Sequence, residues 1–236
     1  PHSQIPMTVG DLQTALNKVD APSLTVLKTA KNGVEEGFSA TGSKGLEDEI
    51  LAKADALTRQ KYLDFKKAMA DRVFFEPRYT CAEDLYLALI KNETLKPLFG
   101  LMSRNYAVAL LDEVQQAINA LLESDPYEVN NWRSNSKKYT DYPKYLDRAI
   151  ELLGVQHYMY HSLTAKKLYF EAILTVRQMG PAAENLQLRD SLRTAAKSNL
   201  LAAIQLEPTA AYLYQTIGRL YYDSDPVQTD SVVKWC

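Results

Sequence analysis

The 236-residue chain sets 27 lysines and arginines against 29 aspartates and glutamates, for a net charge of -2, and 46% of its residues are apolar. That is enough chain for one or two domains with a sizeable core. The balance argues against a dedicated nucleic-acid binder, which would show a basic stripe, and no apolar run reaches the roughly 18 residues a membrane span needs.

Residues 1–45 read as short helices and a flexible loop. Thr8 is placed to cap a helix over Leu12, Ala15, Leu16 and Val19, and Ser23 a second over Val26, Leu27 and Ala30 that stops at Asn32-Gly33. From Gly33 to Gly45 the composition turns to Gly, Ser, Thr and Lys, which marks a linker or exposed loop. Gly37 to Gly45 reads GFSATGSKG, a near miss to the phosphate-binding GxxxxGK[ST]. Its lysine sits one place late at Lys44, Gly45 stands where the hydroxyl belongs, and no strand pattern leads in, so a solvated loop is expected.

Residues 46–105 read as a helical region without a recognisable repeat. Leu46 to Phe75 has the period of one long helix, with Ile50, Leu57, Phe65, Ala68 and Val73 on its apolar face and Pro77 as its stop. Thr80 and Glu83 have capping-box spacing ahead of a helix that buries Leu85, Tyr86 and Leu89. A break follows near Pro97 and Gly100. Asn92-Glu93-Thr94 is a glycosylation sequon, which matters only if the chain is secreted.

Residues 106–236 carry a recurring helix-pair pattern. Tyr106 to Leu122 is amphipathic and ends before Pro126. Further on, Ala196, Leu200 and Ala203 lie on one helical face, Pro208 stops that helix, Thr209 is placed to cap the next, and Tyr214, Ile217 and Tyr221 form its stripe with Gly218 as a notch. The same register around Pro126 holds Ile118, Leu121, Trp132 and Tyr139, and around Gly154 it holds Leu146, Ala149, Tyr160 and Leu163. There Thr164 replaces the glycine and Lys167 falls where a tyrosine belongs.

The Ala196–Tyr221 stretch resembles the tetratricopeptide repeat (TPR) family, with its aromatic-x2-Leu-Gly-x2-Tyr and Ala-x3-aromatic-Pro helices. The resemblance implies an all-α fold of antiparallel helix pairs stacked as a short, degenerate TPR-like solenoid. The irregular spacing of the three junctions implies lengthened repeats, with an extension near Met179 to Gln187. An ordinary antiparallel bundle, in which alanines and tyrosines recur by packing alone, is the rival reading.

In TPR proteins the first helix of each pair lines a ligand groove. Carried onto the last pair, that implies Tyr212, Gln215, Arg219 and Tyr222 as groove residues. Gln215 and Arg219 depart from the Lys and Asn with which some family members clamp a peptide C-terminus, but an arginine flanked by tyrosines suits an acidic peptide. Trp132 and Arg133 are further candidates, since both residue types recur at interface hot spots, although Trp132 also occupies a seam position where it would be core. Fifteen tyrosines against six phenylalanines fit helix seams and wet grooves alike.

Little else points to chemistry. His157 and His161 are four apart, a spacing at which two imidazoles on a helix face one metal, but Tyr158 stands where HExxH needs glutamate and no third ligand is marked. Cys81 and Cys236 have no CxxC spacing. No nucleophile elbow or paired carboxylates can be read, so no cofactor, metal or catalytic residue is expected.

The leading expectation is therefore a non-enzymatic protein-protein interaction or scaffold module that presents a groove to a peptide or partner domain. The alternative is a helical enzyme or small-ligand-binding protein whose site is assembled from distant residues. The chain starts at Pro1, so an upstream segment removed by processing would leave both cytoplasmic and exported locations open. It ends on a short apolar stretch, Val232, Val233 and Trp235. The expectation is that the natural protein continues past Cys236 or that this edge packs on another copy or an adjoining domain.

Overall fold

The structure is a computed structural model that describes residues 41–123, 137–180, 182, 184–222, 230 and 233. Among them every regular element is helical, so the chain is all-α. The helices are α1 (Thr41–Lys53), α2 (Ala56–Ala70), α3 (Ala82–Leu89), α4 (Phe99–Leu122), α5 (Lys137–Leu153), α6 (Tyr160–Gln178), α7 (Leu186–Leu206) and α8 (Ala211–Tyr222), with a 3-10 segment at Glu93–Leu98. None among the described residues is long and apolar enough to cross a membrane. The expected helices after Thr8 and Ser23, the turn at Pro126 and nearly all of the chain end after Tyr222 lie outside the described residues.

Two compact units divide the chain, Pro1–Asp55 and Ala56–Cys236. In the first, helix α1 already begins at Thr41, inside the stretch read from the sequence as a loop. The single helix expected from Leu46 to Phe75 is two. The Ala54 N–H is shared between the carbonyls of Ile50 (3.2 Å) and Leu51 (3.3 Å), which tightens and closes the last turn of α1. Asp55, a residue type favoured at N-caps, stands just before α2. After the break Leu57, expected inside, is 65% exposed, and Thr58 and Tyr62 turn inward beside Phe65 and Ala68, which are buried as expected.

Helix α2 ends before Pro77, in a left-handed residue that is not glycine. Val73 N–H donates to Ala68 O (2.9 Å) and Arg72 N–H to Met69 O (3.2 Å), with Arg72 at φ 59°. This is the Schellman arrangement, and a side chain at its left-handed position costs about 1 kcal/mol. Long-range pairing of the Arg72 guanidinium, described below, offsets that cost.

The following loop caps α3 with backbone. Ala82 N–H donates to Val73 O (2.8 Å) and Glu83 N–H to Phe74 O (3.0 Å), so the first orphan donors of α3 are satisfied without a side chain. The capping box expected at Thr80 and Glu83 is therefore absent. Cys81 occupies the N-cap, Thr80 Oγ1 donates to Pro77 O (3.3 Å), and Glu83 turns to Arg148.

Pro97 sits within the 3-10 segment, and Gly100 lies in the first turn of α4, so the expected break is a tightened helical entry. The boundary expected between residues 105 and 106 falls inside α4, which packs on both α2 and α5. Its buried face runs Met102, Tyr106, Leu110, Glu113, Ala117, the three-and-four spacing of a core-facing helix. Helix α5 closes at Gly154, whose φ of 82° is the left-handed C-terminal position glycine adopts without strain.

In the second unit each helix packs chiefly on its chain neighbours: α2 on α3, α4 on α5, α5 on α6, α6 on α7 and α7 on α8. The α6–α7 pair is the most extensive. Aromatic rings link these layers in one chain of contacts. Phe65 of α2 meets Tyr106 of α4 (5.8 Å between centroids), Tyr106 meets Phe74 (6.3 Å), and Phe74 meets Tyr145 of α5 (5.2 Å). From there the path runs through Tyr142 (5.9 Å) to Phe170 of α6 (4.8 Å), then Tyr169 (5.0 Å) and Tyr212 of α8 (4.8 Å). Each well-placed pair adds about 0.5–1.5 kcal/mol beyond its buried area. Much of the tyrosine bias thus serves the core, where Tyr62, Tyr106, Tyr139 and Tyr142 are fully buried.

At the last junction Ala196, Leu200, Ala203, Ile217, Gly218 and Tyr221 are buried. Tyr214 is only half-buried, and its hydroxyl donates to Pro208 O (2.7 Å), tying α8 to the turn that precedes it. Thr209 does not cap α8; Leu213 N–H bonds Ala210 O (3.1 Å), which places Ala210 at the helix start. Gly218→Leu is expected to overpack this buried position and lower stability by about 1–3 kcal/mol, with Gly218→Ala milder. Urea denaturation of the two variants measures it, and a leucine variant as stable as the parent would rule out close packing there.

Candidate functional site

Of the groove residues implied by the resemblance, Gln215, Arg219 and Tyr222 are exposed along one face of α8, at spacings of four and three. Tyr222 is the most prominent aromatic there, at 64% exposure. Tyr212 does not join them. It is buried, its ring edge-to-face with Tyr169 at 4.8 Å and its hydroxyl donating to Glu207 Oε2 at 3.0 Å. A ring that bridges α6 and α8 while its hydroxyl is satisfied stands inside the packing, not in a groove. Trp132 and Arg133 lie outside the described residues.

The histidine pair does not form. His157 stands in the turn ahead of α6, where its Nδ1 accepts from Met159 N–H (3.3 Å) and its ring lies 4.5 Å from that of Tyr158. His161 belongs to α6 itself, so the four-residue spacing does not put the two rings on one helical face. Among the described residues no group of three or more His, Cys, Asp or Glu is arranged to hold a metal. The sequon asparagine is engaged: Asn92 Nδ2 donates to Thr58 Oγ1 (3.0 Å) and its Oδ1 accepts from Thr94 N–H (3.0 Å).

Three polar clusters stand out in the fold, and their long-range pairings went unread in the sequence. The first joins α6 to the α7–α8 corner. Lys166 is buried on the inner face of α6; its ammonium donates to Ser162 Oγ (2.6 Å) and pairs with Glu207 (3.4 Å). Ser162 Oγ donates in turn to Glu207 Oε1 (3.0 Å). Burial holds the Lys166 ammonium below the usual lysine range, opposed by the Glu207 charge. Burial, reinforced by the neighbouring Glu207 carboxylate, pushes the Tyr212 phenol upward.

In the second cluster the Arg72 guanidinium pairs with the buried Glu113, bonds Gln116 Oε1 (2.5 Å) and lies 3.6 Å from Asp112. Glu113 also accepts from the Tyr142 hydroxyl (3.3 Å). Burial raises Asp112 despite the attraction of Arg72. The third cluster sets Arg148 Nε on Glu83 (2.9 Å) and Nη1 on Glu151 (2.8 Å), with the guanidinium 5.5 Å from the Tyr86 ring centroid. A shallow cleft between Phe75 and α5 opens beside it, where the Lys144 ammonium lies 3.9 Å from the Phe75 ring centroid.

In each cluster opposite charges are matched across elements. The signal that could have exposed Lys166 is its place on an otherwise apolar stripe, between Leu163 and Tyr169. For Arg72 and Glu113 no local signal exists, because the partners are 41 residues apart.

The chain matches no family model, no curated protein and no solved structure. The TPR resemblance therefore stands on the residues quoted above.

Proposed function

We propose that the chain is a non-enzymatic interaction module whose C-terminal helix pairs follow the TPR plan and whose α8 offers its outer face to an acidic peptide or partner domain. One observation carries the reading. Ala196, Leu200, Ala203, Ile217 and Gly218 are buried together on α7 and α8, while Gln215, Arg219 and Tyr222 form a separate exposed stripe on α8. Helices that pack mainly on their chain neighbours also fit a repeat plan, in which each unit contacts the next. Arg219 beside an exposed tyrosine supplies both charge-assisted hydrogen bonding and a ring for contact, the combination found at interface hot spots.

Selection of a displayed peptide library on the full chain tests the proposal. Acidic peptides are expected to be enriched, and their affinity to fall about tenfold or more in Arg219→Ala/Tyr222→Ala, with helicity and Tm unchanged. Enrichment of nothing, or of peptides that bind the double variant equally well, would remove α8 as the docking face.

A further inference from the structure

We draw no further inference here: the strongest candidate, the cleft between α2 and the loop that leads into α3, beside the exposed Tyr79, carries nothing, because Lys67 stands in the same lining as Asp64 and Asp71 and nothing in the structure shows what covers it.

Discussion

Glu207→Ala is expected to lower stability by about 2–4 kcal/mol, the largest loss of any single substitution considered for the α6–α8 corner. Glu207 receives the Ser162 hydroxyl at 3.0 Å, the Tyr212 hydroxyl at 3.0 Å and the Lys166 ammonium at 3.4 Å. Removing it takes the acceptor from two hydroxyls and the counter-charge from a lysine whose side chain is only 7% exposed. Partial access of water to Glu207, 27% exposed, keeps the loss below that of a fully buried pair.

Two companion measurements separate charge from packing. Lys166→Met, which replaces the ammonium with an apolar chain of similar length, should cost much less, and combined with Glu207→Ala it should recover part of the loss. The pH dependence has a defined sign. Because burial lowers the Lys166 pKa in the folded state, the unfolded state binds more protons between that value and the ordinary lysine value near 10.4, so this group's contribution to stability rises with pH through that window. The Glu207→Ala deficit should therefore shrink under alkaline conditions. Urea denaturation of the four chains at neutral and alkaline pH gives the comparison. A Glu207→Ala chain as stable as the parent would show that the corner is held by its apolar contacts alone.

The second large effect is alkaline unfolding driven by the aromatic chain. Burial pushes the Tyr169 phenol up to about 12, and Tyr145 is likewise pushed to about 12 by burial and by Asp141, Glu113 and Glu76. Tyr106 and Tyr212 are raised as well, again chiefly by burial. An acid whose folded pKa lies above its unfolded value stays protonated in the native state while the unfolded chain ionises, so stability is lost as pH rises from about 10 toward 12. For Tyr169 alone the rise corresponds to about 2–3 kcal/mol at the top of that window.

Tyrosinate absorbance and far-UV circular dichroism, recorded on one alkaline titration, should show Tyr106, Tyr145, Tyr169 and Tyr212 ionising only together with loss of helix. Tyr169→Phe should move the unfolding midpoint to higher pH. Ionisation of all the tyrosines near 10 with helix retained would mean that the ring chain is open to solvent.

What could be read from the sequence was the local physics. A 3.6-residue apolar period is written within a dozen residues, so the inner faces of α4 (Ile118), α5 (Leu146, Ala149), α7 (Ala196, Leu200, Ala203) and α8 (Ile217, Tyr221) were legible before any fold was in hand. Stops at Gly154 and Pro208 were legible for the same reason, since left-handed φ and a missing N–H act on adjacent residues. Those features make the chain all-α; of the four α8 positions that the TPR resemblance implied, Gln215, Arg219 and Tyr222 are exposed and Tyr212 is not.

The tertiary structure decided what depends on residues far apart in the chain. Carbonyls of Val73 and Phe74 displaced the side-chain cap expected at Thr80, and a guanidinium pairing with α4 let Arg72 end α2 where the sequence pointed to Pro77. Contact with Tyr169 and Glu207 turned Tyr212 from a groove candidate into core, and pairing with Glu207 allowed Lys166 to be buried. Helical periodicity assigns a residue to a face, but whether that face meets water, an aromatic ring or an opposite charge is set by which helix lies against it, and no local pattern encodes that.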